Sequence, residues 1–293
     1  EPLAPGRYTK DNGFITGITK SCSVVIPLRW NGQGDGVTWS QVSNWESGQV
    51  PNAITDAADL SAAQGEIRID SAVTLTCLIH SPADRAREVT LTGNGSLILY
   101  GGYYNMPCGY VGEGCRLTAD VPVERYNATY PLGFLLGGGT LVIRKGFPSS
   151  GSNADGYASV AFFGTLVFAG QTDIAKNLDL WHHEVNAKGL AAVVFTNGCR
   201  LTCMRIMNAP RLFPVISRVF HDGGEVICGD LFLSRYSGSL LVPPYAYFMR
   251  SGELTATNAY GVNLGVDCPD LPPAWRSGWG YPLSGGSFIL SGG

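Results

Sequence analysis

The stretch GTLVIRKG (residues 139–146), followed by GTLVFAG (164–170), decides how this chain is read. Each is a short run of strand formers closed at both ends by glycine, too brief and too interrupted for an amphipathic helix. The phrase recurs as GSLILYG (95–101), CRLTC (199–203), GEVIC (224–228), GELTA (252–256) and GSFILSG (286–292). Aligned on Leu97, Leu141, Leu166, Leu201, Val226, Leu254 and Phe288, the copies lie 44, 25, 35, 25, 28 and 34 residues apart. Intervals of this size suit coils of a solenoid, because a single coil buries nothing alone and a stack makes a continuous core. The expected fold is all-β, a right-handed parallel β-helix. Glycine-bounded strands also describe a β-sandwich or jelly roll, which stands as the alternative.

Composition supports a packed and weakly charged molecule. In 293 residues, 20 Lys and Arg stand against 23 Asp and Glu, and charged residues make up only 15%. That balance lacks the basic patch of a nucleic-acid binder. A hydrophobic share of 45% with 39 glycines argues against disorder. The longest apolar window, residues 158–170, is shorter than the ~20 residues a membrane helix needs, so no membrane span is expected. The start at Glu1, without Met or a charged-then-apolar leader, is read as a processed end.

Eight dispersed cysteines without a C-x-x-C pair point to disulfides in an oxidising, extracellular space. Within the strand CRLTC, Cys199 and Cys203 would be ~13 Å apart, too far to bond each other. The repeat alignment instead sets Cys203 against Cys228 on the next coil, at a strand spacing of ~4.8 Å. Those two are expected to bridge, and Cys108 with Cys115 to close a local loop. The pairing of Cys22, Cys77, Cys199 and Cys268 stays open.

Residues 30–60 carry the most specific signal: Trp30-Asn31-Gly32, Thr38-Trp39, Asn44-Trp45, Gly48, Val50-Pro51, Asp56 and Ala58. This pattern resembles the entry segment of secreted bacterial β-helix surface proteins, autotransporter-passenger-like chains with glycine-rich β repeats. The resemblance covers residues 30–101 well and the later repeats in outline. It implies that the tryptophans cap the open first coil and that the Val-Pro turn leads the chain into the solenoid.

Two domains follow from this division: an extended arm, residues 1–29, and a solenoid, residues 30–293, capped at 30–60. The arm holds Phe14, Ile15 and Ile18, then Val24, Val25, Ile26 and Leu28, and has no evident place in its own solenoid. An apolar strand with an open edge either folds back along its own domain, which stands as the alternative, or pairs with another chain. On the second resolution, the expected function is a secreted structural subunit that donates this strand to a neighbour. Repeated head to tail, such an exchange grows an extracellular filament, the partner being a second copy of the chain.

Signs of chemistry are few, and no cofactor is expected. The local motifs of β-helix glycoside hydrolases are missing, which makes a polysaccharide-cleaving enzyme the minority reading. The run Asn31-x-Gln33-x-Asp35-Gly36 lacks the closing Glu of a calcium loop and reads as a turn. His182 and Glu184, in the polar run 179–184, have no partner motif and read as a surface loop. The alternative function is a glycan-binding or glycan-cleaving surface protein. Its candidate sugar platforms are Trp275, Trp279 and Tyr281, with a second aromatic group at Tyr100, Tyr103 and Tyr104. The sequons at Asn94 and Asn127 make those residues candidate glycan acceptors, Asn127 the better placed.

Overall fold

The computed structural model describes residues 6–9, 23–82, 87–100, 108–125, 134–150, 157–159, 164–173, 177–179, 190–207, 216–232, 234–236, 246–257, 262–263, 283–285 and 287–290. Two short strands, β1 (Gly6–Thr9) and β2 (Ser23–Ile26), precede β3 (Leu28–Arg29). The winding then begins. β4 (Ala57–Asp59), β5 (Gly65–Arg68) and β6 (Ala72–Leu75) form one coil. β7 (Cys77–His80), β8 (Glu88–Thr92) and β9 (Ser96–Leu99) form the next, and β10 (Gly109–Gly112), β11 (Arg116–Ala119) and β12 (Val123–Arg125) the one after. β13 (Phe134–Gly137) leads into β14 (Thr140–Ser150), which turns a corner and serves two faces.

Beyond it come β15 (Tyr157–Ser159), β16 (Thr165–Asp173), β17 (Asn177–Asp179), β18 (Leu190–Phe195), β19 (Arg200–Met207) and β20 (Ile216–Phe232). The described part closes with β21 (Ser234–Tyr236), β22 (Ala246–Ala256), β23 (Val262–Asn263), β24 (Leu283–Gly285) and β25 (Ser287–Leu290).

Each strand pairs in parallel with its counterpart one coil away, so the architecture is a parallel β-solenoid and not a sandwich of facing antiparallel layers. The exceptions are two antiparallel pairs, β1 with β2 and β21 with β24, each a sheet of its own. One register ladder runs Ile67, Leu91, Ala119, Ile143, Phe168, Phe195, His221, Met249. Most of its side chains are wholly buried, and two residues earlier on the same strands Leu117, Leu141, Leu166, Val193, Val219 and Tyr247 line the same interior. Stacking like on like carries the packing further, since the Phe168 and Phe195 rings lie 5.6 Å apart and nearly parallel.

The glycine phrases mark coils, but on two different faces. Leu141 and Leu166 are direct partners, and Leu201, Val226 and Leu254 form a second set. Leu97 belongs with Val73 and Val123, while Leu166 pairs with Val193 and Phe288 with Tyr247. The longer intervals of 44, 35 and 34 residues therefore join phrases on different faces.

Glycine is required where coils touch backbone to backbone. A Cβ on Gly164 would run into the carbonyl of Gly139 one coil away, and one on Gly139 into that of Gly112. Gly224 and Gly252 repeat this at another corner, with φ of +82° and +95° that favour glycine in addition.

Candidate functional site

The amino-terminal end of the solenoid is where an unprotected parallel stack would recruit other strands. Residues 30–56 close it. Trp30, Trp39 and Trp45 are each at most 3% exposed and pack edge to face, with centroids 5.1 Å (Trp30–Trp45) and 4.9 Å (Trp39–Trp45) apart. Their indole N–H groups need acceptors once buried. That of Trp39 donates to the Pro51 carbonyl at 3.1 Å, and that of Trp45 to the Trp39 carbonyl at 2.9 Å.

Asn44, wholly buried at the end of a single 3-10 turn (Val42–Asn44), organises the loop. Its Oδ1 accepts from the amides of Gly34 and Gly36 at 2.9 and 3.0 Å. Its Nδ2 donates to Asp35 Oδ1 at 2.8 Å and to the Thr38 carbonyl at 2.9 Å. Both ends of the amide are thus used to capacity, and the two backbone amides fix which end is oxygen. Asp35 also accepts from the amides of Val37 and Thr38, at 2.9 and 2.8 Å. Hydrogen bonds from the Thr38 side chain, these amides and Asn44 hold its carboxyl well below the usual carboxylate range. The calcium-like spacing is consequently a hydrogen-bonded turn.

Every solenoid edge at this end meets the cap. On β3, the Arg29 carbonyl accepts from Glu46 N at 2.9 Å, and Trp30 bridges Trp45. On β5, Arg68 donates to the Val37 carbonyl at 2.8 Å and accepts from Trp39 N at 3.0 Å. On β6, Thr74 N donates to Asn52 Oδ1 at 2.8 Å, and the neighbouring Thr76 N to the Asp56 carbonyl at 2.7 Å. At the other end, β25 pairs with β22 and no described strand lies along its far side.

The hairpin of β1 and β2 sets Gly6 opposite Ile26, Arg7 opposite Val25 and Tyr8 opposite Val24. Among the described strands it pairs with nothing else. The arm stops earlier than its sequence suggests: Leu28 is 3% exposed and pairs with Ala58, so it belongs to the solenoid core. Phe14, Ile15 and Ile18 lie outside the described residues.

All six described cysteines are buried thiols. Cys203 and Cys228 are direct register partners, as the repeat alignment expects, but no sulfur–sulfur bond joins them. Cys108 and Cys115 stand on either side of β10, whose extended backbone holds them apart; the neighbour of Cys108 is Cys77 of the preceding coil. Burial pushes the Cys77 thiol up to about 12, with Cys108 adding to the effect, and burial does the same to Cys199. Cys22 and Cys268 lie outside the described residues.

Sequence reading missed a polar pair inside the core. The Tyr247 hydroxyl and His221 Nδ1 are 2.9 Å apart, and His221 Nε2 is 3.3 Å from the Gly224 carbonyl. Because a carbonyl only accepts, Nε2 carries the proton and Tyr247 donates to Nδ1. Burial drives the His221 pKa down and that of Tyr247 up, so both are neutral. Only the register, which puts His221 on the Phe195 ladder, reveals this pair.

Trp275, Trp279, Tyr281, Tyr103, Tyr104, His182, Glu184 and Asn127 lie outside the described residues. Asn94 is exposed in the bend between β8 and β9, and Tyr100 is half-buried. Among the described residues no group of three His, Cys, Asp or Glu is placed to hold a metal, and no helix is long and apolar enough to cross a membrane. Comparison with known protein families, curated proteins and solved structures finds no match to this chain.

Proposed function

We propose that the protein is a secreted structural subunit that assembles head to tail into an extracellular filament through its amino-terminal arm. The observation that carries this reading is the contrast between the two ends of the solenoid. The cap occupies the edges of β3, β5 and β6, while no described strand lies along the far side of β25. A stack with one closed and one receptive end grows in one direction. The arm supplies what the receptive end lacks, because a two-stranded hairpin of four-residue strands is marginal alone and gains by joining a larger sheet. Cys203 and Cys228 face each other as buried thiols, and in the oxidising compartment this reading implies a bridge there would staple adjacent coils.

The test is removal of residues 1–26, which leaves β3 and its pairing with β4 in place. The truncated chain is expected to sediment as a folded monomer under conditions where the full chain forms fibres by negative-stain microscopy. Fibres that persist without the arm overturn the reading.

A further inference from the structure

Cys77 and Cys108 stand one residue ahead of the parallel pair Leu78–Gly109 on β7 and β10, and the Leu78 amide donates to the Cys108 carbonyl at 3.0 Å. Adjacent strands lie ~4.8 Å apart, within the Cα separation that a disulfide spans. Cys203 and Cys228 repeat the arrangement higher in the stack, on β19 and β20. We propose that Cys77 and Cys108 form an inter-coil disulfide when the chain folds in the presence of an oxidised low-molecular-weight thiol. The bridge then staples the coil of β7 to the coil of β10. Cys115 is the wrong partner for Cys108, because β10 runs between them and the Cys115 thiol turns to the Glu113 carbonyl.

The chemistry is a double exchange. One protein thiolate attacks the small disulfide and expels one small thiolate, leaving a mixed disulfide. The second protein thiolate attacks the protein sulfur of that intermediate and expels the other. The protein pair loses two protons and two electrons, and the small disulfide becomes two thiols. Both steps need thiolate, which the buried, raised Cys77 seldom provides once the coils are packed. The bond therefore forms as the coils dock. The inference does not depend on filament assembly, since a monomer would carry the same bridge.

The test is refolding of the full chain in a mixture of reduced and oxidised glutathione, followed by alkylation and digestion with trypsin and a Glu-specific protease. Cleavage after Glu113 separates Cys108, in residues 89–113, from Cys115, in 114–116, while Cys77 lies in 69–85. The expected product joins 69–85 to 89–113 with the loss of two hydrogens. In Cys77→Ser that link disappears and Cys108 becomes alkylated, while native tryptophan fluorescence persists as proof of folding. A link of 89–113 to 114–116 overturns the inference. So does full alkylation of Cys77 and Cys108 in refolded protein with native tryptophan fluorescence.

Discussion

Asn44→Asp is a near-isosteric change that asks whether the cap hangs on one amide. The two bonds accepted from Gly34 and Gly36 survive, because a carboxylate oxygen takes the place of Oδ1. The two donated bonds, to Asp35 and to the Thr38 carbonyl, are lost and replaced by oxygen facing oxygen. A buried hydrogen bond is worth about 1 kcal/mol net, and one to a charged group about 1.5–3 kcal/mol, so the loss comes to roughly 2–4 kcal/mol before repulsion is added. Against a whole-domain stability of ~5–15 kcal/mol this is a large share. Urea unfolding followed by tryptophan fluorescence reads it directly, since Trp30, Trp39 and Trp45 sit in the cap. The loss should be smaller at pH 4 than at pH 7, because two facing carboxyls share a proton more readily than either holds one alone. Opening the cap also uncovers β3, β5 and β6, so the variant should self-associate in sedimentation even without residues 1–26. A loss below about 1 kcal/mol, equal at both pH values, would refute the assigned role of Asn44.

Further outcomes follow from single residues of the coils. Gly164→Ala, whose Cβ meets the Gly139 carbonyl, should cost at least about 2 kcal/mol in chemical unfolding. Gly65→Ala, where φ is +84° but the space is open, should cost only ~1 kcal/mol. Tyr247→Phe keeps the ring but leaves His221 Nδ1 without its donor, an expected loss of about 1–3 kcal/mol in the same assay. His221 also makes the fold acid-labile. Its folded pKa is lowered, so its contribution is complete above an unfolded value of ~6.5, and stability falls by up to ~1.4 kcal/mol per pH unit below that, a slope that Tyr247→Phe should alter. Finally, Cys77 in the folded, reduced protein should react with glutathione disulfide roughly a hundredfold more slowly than in urea. A pKa of about 12 removes most of its thiolate, and greater nucleophilicity only partly compensates. Equal rates would place that thiol outside the core.

The solenoid was legible because its two requirements leave marks in single residues. Corners where backbones touch must be glycine, as at Gly139 and Gly164, and the strands between them must be short apolar runs, as Leu141, Val142 and Ile143 of GTLVIRKG are, all three buried. What sequence spacing could not convey was face. A phrase on one side of the coil looks like a phrase on another, so Leu97 aligned with Leu141 although the register sets it beside Val73 and Val123. The same degeneracy explains the cysteines. Cys203 and Cys228 fall in recognisable phrases a coil apart, and their opposition could be computed from the repeat alone. Cys77 precedes LIH and Cys108 precedes GYV, on a face with no glycine phrase, so their opposition could be found only from strand pairing. That the tryptophans cap the open first coil was expected from the resemblance of residues 30–60, but how the cap reaches the coil edges was not. Those contacts depend on Val37, Trp39, Glu46, Asn52 and Asp56 reaching three separate edges, a property of the closed loop and of none of those residues alone.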